Sequence, residues 1–230
     1  MMTKNINKSW SFGGKIPKIF EKHIEKSVPS YLVGHNLILK LSEYFVEDNS
    51  LIYDIGCSTG NLLKKLSKYV KKKNVNFYGI EIEKKMFQYA KSNLRNSKIK
   101  LLNKDINKIK LKKSNLIISY YTLQFIPTSI RQDVVNKIYN SLNWGSALIM
   151  FEKIRGNDAR FENILNSLYL EFKHENKFSK KHIYDKAKSL RGVMGPFSDN
   201  GNLGLLKRAG FKDIQTIQQH LCFKGYLCIK

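Results

Sequence analysis

Apolar and polar positions alternate along this chain with two periods. Short apolar runs fall at residues 51–55, 75–80, 99–102, 116–119 and 147–151, bounded by polar or turn residues and too short for helices. Between them, apolar residues recur every three or four positions, the spacing of a helix with one buried face. Leu62, Leu63, Leu66, Tyr69 and Val70 make one such face. Met86, Phe87, Ala90 and Leu94 make a second, and Ile130, Val134, Val135, Ile138 and Leu142 a third that stops near Gly145. Regular alternation of strand and helix predicts an α/β fold, a doubly wound, Rossmann-like, mostly parallel sheet with helices on both faces.

The two ends of the chain depart from this alternation. Residues 1 to 15 read as a mobile arm that settles at Trp10-Ser11-Phe12-Gly13-Gly14. Ile16, Ile19, Phe20 and Ile24 then predict a helix over 16–26, broken by Ser27-Val28-Pro29-Ser30-Tyr31, since proline disfavours helical backbone in the residue before it. A second helix follows with Leu37, Ile38, Leu41, Tyr44 and Phe45 on one face. Past residue 155, Phe161, Ile164, Leu165, Leu168 and Phe172 predict an amphipathic helix over 159–174, with a weaker one over 180–190. Gly192, Gly195, Pro196 and Gly201 mark a loop over 192–202, and a short helix ends at Gly210. Strands near 213–218 and 221–229 form an antiparallel hairpin on the sheet edge and bring the sheet to seven strands. The chain therefore reads as one domain over 1–230, with an N-terminal helical lid (1–47), a ligand-binding core (48–155), and a helical insertion with C-terminal strands (156–230).

At 230 residues the chain is long enough for one substantial core. No apolar run approaches the roughly 20 residues that span a bilayer, so no membrane partner is expected. Met1 to Lys8 is polar and lacks the apolar centre of a signal peptide. Three scattered cysteines, Cys57, Cys222 and Cys228, suit a reduced, cytoplasmic setting, and nothing has the spacing of a metal site. The net charge of +23 points first toward nucleic acid. Yet 35 of the 41 basic residues are Lys and six are Arg, spread along a chain rich in Asn and Ile. Arg is the residue suited to bidentate phosphate recognition. A general drift in composition accounts for the charge better than an RNA-docking face does.

The stretch Leu51-Ile52-Tyr53-Asp54-Ile55-Gly56-Cys57-Ser58-Thr59-Gly60 carries the candidate chemistry. It is a strand, a D-x-G-x-x-x-G turn and the start of a helix. Gly56 and Gly60 let backbone press against a ligand, and Asp54 can hold a polar group of that ligand. Ser58 stands where a dinucleotide fingerprint has glycine, and no Lys follows as in a P-loop. Three acids close successive strands: Asp54, Glu81 and Asp105. Glu81 lies roughly 20 residues past the turn, where a carboxylate accepts from both ribose hydroxyls of an adenosine. Asp105 is placed to accept from the adenine amino group, the Ile106 amide to face a ring nitrogen, and Ile82 to pack on the base.

The turn is similar to motif I of class I S-adenosylmethionine (SAM)-dependent methyltransferases. Trp10-Ser11-Phe12, Ser27-Val28-Pro29-Ser30-Tyr31, Tyr53-Asp54-Ile55-Gly56-Cys57-Ser58, Thr122-Leu123-Gln124-Phe125, Lys137-Ile138-Tyr139, Glu152-Lys153 and Ala209-Gly210-Phe211 resemble the carboxy-S-adenosylmethionine synthase family from Trp10 to the end. The resemblance implies a methyltransferase-like fold, SAM binding, a homodimer, and use of prephenate to build carboxy-SAM for tRNA wobble-uridine modification. It also implies that Tyr31, Gly56, Cys57, Ser58, Glu81, Ile82, Asp105, Ile106 and Tyr120 line the pocket, with Tyr31 on the lid.

The chain departs from that pattern in three places. Glu81-Ile82 replaces Asp-Asn, Tyr120 replaces Asn, and Ala187 stands where the family has the Arg that grips the extra carboxylate. Lys186, Lys188 and Arg191 lie nearby, but a Lys does not reproduce a bidentate Arg. The sequence reading therefore puts methyl transfer from SAM to a small-molecule acceptor first, leaving S-adenosylhomocysteine. Carboxy-SAM synthesis comes second and an RNA-modifying activity third. Tyr120, Tyr121 and His35 are expected to face the acceptor, His35 as general base and the tyrosines as cation–π partners of a sulfonium.

Overall fold

The computed structural model describes residues 16–230, so the expected arm at 1–15 lies outside the described residues. Two helices come first, α1 (Ile16–Ser27) and α2 (Tyr31–Ser42). Strand and helix then alternate through β1 (Leu51–Ile55), α3 (Asn61–Tyr69), β2 (Asn76–Ile80), α4 (Lys84–Asn93), β3 (Lys100–Leu102), β4 (Ser114–Tyr120), α5 (Thr128–Ser141) and β5 (Leu142–Lys153). Three helices follow, α6 (Ala159–Glu175), α7 (Lys180–Ser189) and α8 (Asp199–Ala209), and the chain closes with β6 (Asp213–His220) and β7 (Phe223–Ile229).

The seven strands lie in the order β3-β2-β1-β4-β5-β7-β6. β1, β2, β3, β4 and β5 run parallel, while β7 pairs antiparallel with both β5 and β6. The order reverses between β1 and β4, which opens a crevice at their carboxyl ends.

The central strands read as unbroken apolar runs because both of their faces are covered. Ile52, Leu116, Ile118, Ala147, Ile149 and Phe151 face one core, with Ile38, Leu63 and Leu66 from α2 and α3. The alternate residues Tyr53, Ile55, Ile117, Leu148 and Met150 face the other, with Val134, Val135 and Ile138 from α5 and Leu205 and Leu206 from α8. Polar side chains start the later helices by accepting main-chain N–H groups. Asp158 accepts from Phe161, Ser179 from His182, and Ser198 from Gly201.

Three details differ from the sequence expectation. The buried face of α2 is Tyr31, Gly34, His35, Ile38 and Ser42, and Tyr44 is exposed. Gly34 matters here: a side chain at this position would occupy the space of the Tyr120 ring, so the helix packs on β4 through a position without one. β5 begins at Leu142 rather than 147, because its register against β4 skips from Ser114↔Leu142 to Leu116↔Ala147 around a bulge at the positive-φ Gly145. α8 begins at Asp199, inside the expected 192–202 loop, because Ser198 caps it. All three cysteines are free and buried. No helix among the described residues is long and apolar enough to cross a membrane.

Candidate functional site

A cavity of about 620 Å³ occupies the crevice at the carboxyl ends of β1, β2, β4 and β5, with α1, α6 and α7 as its other walls. At one end lies the glycine turn. The Gly56 and Cys57 N–H groups both donate to the Ile80 carbonyl, at 2.8 and 3.1 Å, which fixes the turn to the tip of β2. Gly56 has φ +72°, and a side chain there would run into Thr122. The Thr122 hydroxyl donates to the Ile55 carbonyl at 2.9 Å, locking β1 to the segment after β4. From above, α1 reaches down so that Glu21 accepts a hydrogen bond from the Thr59 hydroxyl.

The acids at this end are held in defined states. Glu81 is 7% exposed; its Oε2 accepts from the Ser58 N–H at 2.9 Å and its Oε1 from the Glu83 N–H at 2.8 Å. Burial raises its pKa, opposed by those N–H donors. Each carboxylate oxygen keeps a second lone pair for a ligand hydroxyl. Asp54 is 2% exposed and lines the cavity. Burial, and then the charge of Glu81, push its pKa up to about 7. Beside them the buried Ser58 hydroxyl has no partner among the described residues, and Ile82 leaves 67% of its surface uncovered. A pinned carboxylate with spare lone pairs, an unsatisfied hydroxyl and an uncovered apolar side chain fit a molecule with a ribose, a polar tail and a flat base.

An aromatic wall continues from there. Tyr120 lies 5.1 Å from Tyr31, 4.6 Å from Tyr121 and 5.0 Å from His35, centroid to centroid. Its hydroxyl donates to the Tyr31 carbonyl at 2.5 Å, which ties β4 to the start of α2. Burial raises the pKa of Tyr31 and of Tyr120, so both hydroxyls keep their protons. His35 is buried too, and burial with the nearby Lys65 pushes its pKa down to about 3. It lines the cavity as expected, as a neutral ring whose proton affinity burial lowers, which disfavours it as a general base. The wall runs on through Phe223, 5.7 Å from Tyr121 and 5.1 Å from Tyr169 of α6.

The far end is basic. Lys153 closes β5 with its ammonium 4.7 Å from the Tyr169 ring centroid, and the ammonium of Lys173 lies 4.1 Å from the same ring. Among the described residues neither forms an ion pair. Lys186, from α7, lines the same end. Burial, then the charge of Lys153, bring Lys173 down to about 8; burial, then Lys173, bring Lys186 down to about 7. His23 of α1 lies 5.6 Å from His182 and is held at about 4 by burial and by Lys186, His182 and Lys173.

The structure thus gathers Tyr31, His35, Asp54, Gly56, Cys57, Ser58, Glu81, Ile82, Tyr120 and Tyr121 around one cavity. Gly60, Asp105 and Ile106 are not among its lining residues. Gly60 starts α3 against Leu94, and Asp105 caps the 3-10 turn Ile106–Lys108 by accepting from the Asn107 N–H at 2.9 Å. Of the substitutes considered for the missing Arg, Lys186 and Arg191 line the cavity and Lys188 does not. Sequence reasoning missed Lys153, Lys173 and Tyr169. Lys153 carried a usable signal, since it ends a parallel strand as Glu81 follows one.

The methyltransferase domain family matches residues 52–145. The chain is 37% identical over 211 residues to the carboxy-S-adenosyl-L-methionine synthase of Staphylococcus epidermidis, covering 92% of each chain. It is 29% identical to the enzyme of the same name from Campylobacter lari, covering 99% of this chain and 97% of that one. A SAM-dependent methyltransferase from Aquifex aeolicus shares the fold with a TM-score of 0.60 and 15% identity over 93% of this chain and 97% of that one. Human N-acetylserotonin methyltransferase, solved with SAM, also has a TM-score of 0.60, with 17% identity over 86% of this chain and 52% of that one. Likeness along nearly the full length of both chains, together with a crevice that fits SAM, makes this chain a SAM-dependent transferase of the carboxy-S-adenosyl-L-methionine synthase family.

Proposed function

We propose that the chain is a carboxy-SAM synthase, joining the sulfonium methyl carbon of SAM to a carboxyl group taken from prephenate. This reverses the order of the two activities read from the sequence. The observation that carries it is the basic end of the cavity: Lys153 and Lys173 flank Tyr169 and Lys186 stands beside them, across the aromatic wall from the glycine turn. A neutral methyl acceptor would leave the ammonium groups of Lys153 and Lys173 uncompensated, which is unfavourable where water is excluded. A dicarboxylate neutralises them. In the overall reaction the methyl group loses a proton and gains CO2, while prephenate loses CO2 and hydroxide to become phenylpyruvate, and proton and hydroxide form water.

When bound, SAM supplies a methyl group whose C–H bonds are acidified by the adjacent positive sulfur. Glu81 would hold the ribose hydroxyls and Ile82 would cover the base. Asp54 and the Ser58 hydroxyl would take the polar tail. The rings of Tyr31, Tyr120 and Tyr121 would face the sulfonium, an attraction of about 1–2 kcal/mol where water is excluded. Lys153, Lys173 and Lys186 would orient the carboxylates of the second substrate and later hold the new carboxylate. Ala187 is an exposed lining residue beside Lys186 and leaves that task to the lysines. The reading extends to a homodimer, supported by the uncovered apolar stripe Phe161, Ile164 and Leu168 on α6.

The test is incubation of the purified protein with SAM and prephenate, followed by mass spectrometry. Carboxy-SAM and phenylpyruvate in equal amounts are expected. S-adenosylhomocysteine formed with a small-molecule acceptor, and no carboxy-SAM, would return the methyltransferase reading to first place.

A further inference from the structure

Arg131 is 2% exposed, on α5, yet among the described residues it has no ion pair. Burying a guanidinium is costly unless its donors are satisfied. Here main-chain carbonyls satisfy them. Nη1 donates to the Gly195 carbonyl at 2.9 Å, and Nη2 to the Ile126 carbonyl at 2.8 Å, with Nε to the same oxygen at 3.3 Å. Nη2 also lies 3.5 Å from the Gln124 carbonyl, and the guanidinium stacks on Phe197 at 4.3 Å.

The two segments that Arg131 joins are a single 3-10 turn, Leu123–Phe125, and an irregular stretch after α7. One is the turn after β4, residues 122–126, which places Gln124 and Phe125 on the cavity. Buried Glu152 holds the other side of that turn, accepting from the Leu123 N–H at 2.8 Å. The turn is therefore gripped by a buried carboxyl group on its N–H side and a guanidinium on its carbonyl side. The second segment, residues 190–195, supplies Leu190, Arg191, Val193 and Met194 to the cavity wall. It is fastened at Gly195, whose carbonyl accepts from Arg131 and whose N–H donates to the Gln124 carbonyl at 2.8 Å. The Gln124 side chain in turn accepts from the Lys153 N–H at 2.8 Å, so the same assembly sets where Lys153 leaves β5.

We infer that Arg131 is a positioning residue for the second substrate: it fixes residues 124–126 and 190–195 as the walls of the basic end of the cavity, while Thr122, bonded to the Ile55 carbonyl, holds the SAM end independently. This rests on the proposed role of the basic end. A lysine side chain in its place keeps the charge but gathers its donors on one nitrogen, so it does not reach the separate carbonyls that the spread guanidinium fork serves.

The experiment compares the full chain with Arg131→Lys and with Phe197→Leu, which removes the stacking ring and keeps an apolar side chain against the core. Amide hydrogen exchange is followed without any substrate, and SAM affinity and the KM for prephenate are measured in parallel. In Arg131→Lys, exchange over 124–126 and 190–197 should speed up by about tenfold or more while β1 and the glycine turn stay protected, because charge-assisted hydrogen bonds that hold both segments are lost. The KM for prephenate should rise by a similar factor while kcat and SAM affinity stay within about twofold. Phe197→Leu should shift the same readouts in the same direction by less. Gly195→Ala should be silent, since the added carbon meets Arg131 Nη2 at 3.7 Å, an ordinary contact. Unchanged exchange in those segments, or equal acceleration in the central sheet, would overturn the inference. Wild type that ignores prephenate would instead sink the proposed function, and the exchange data would still judge Arg131.

Discussion

The two ends of the cavity solve the same problem with opposite charge. At the glycine turn the fixed groups are carboxylates, Asp54 and Glu81, set at the tips of parallel strands, with Glu81 pinned by main-chain N–H groups. At the other end they are ammonium groups, Lys153, Lys173 and Lys186, gathered where β5 ends and where two helices have been added after the core. Burial drives both sets toward neutrality, raising the acids and lowering Lys173 and Lys186. A ligand of complementary charge reverses each shift. The acid end suits a cationic sulfonium with hydroxyls, and the basic end suits a dianion.

Breaking the acid end should have the largest effect. Glu81→Gln removes the charge that would accept from the ribose hydroxyls in the proposed complex, and it loosens the Ser58 turn. SAM binding measured by calorimetry should weaken by about 10²-fold, with prephenate protection of the basic end unaffected. Next comes the basic end. Lys173→Met should raise the KM for prephenate by about tenfold and leave SAM affinity unchanged. Equal losses of both affinities would mean that the ends are not independent.

A smaller effect follows from pH. Lys173 and Lys186 lose their protons near 8 and 7, below the ordinary lysine value of 10.5. A bound carboxylate prefers them protonated, so prephenate affinity should be full only below about pH 6 and fall as pH rises through the range of those two values. A steady-state KM profile with SAM saturating would reveal this, and a flat profile would remove the lysines from the contact.

The smallest effect concerns stability. The Asp54 carboxyl keeps its proton up to about pH 7 against an ordinary 3.8. Between those values the folded chain binds more protons than the unfolded one, so stability falls as pH rises. A carboxamide at this position cannot ionise. The melting temperature of Asp54→Asn should exceed that of wild type by a few degrees at about pH 8, with a smaller gap at about pH 5, while SAM binding weakens.

The contrast between the ends also explains what was legible in the sequence. Strands were readable because residues such as Ile52, Ile117 and Ile149 make runs that are apolar on both faces, and the acid end was readable because its residues sit at strand tips with fixed spacing. The basic end was legible only in part, through Lys186 and Arg191 beside the position of the missing Arg and Lys153 at a strand end. Lys173 and Tyr169 lie on a helix where a polar position looks solvated, and one lysine among 35 carries no signal. The face of α2 was misjudged because Gly34 and His35 pack where larger apolar residues would be expected. Arg131 was invisible because its partners are carbonyls, which no side-chain pattern records.

Neither α6 nor α7 contains a completely buried side chain, whereas α2 and α3 each contain several. Segments without such anchors part from the body at low free-energy cost. Amide exchange in α6 and α7 should therefore outpace exchange in α2 and α3, so the basic end is expected to be the first part of the cavity to loosen.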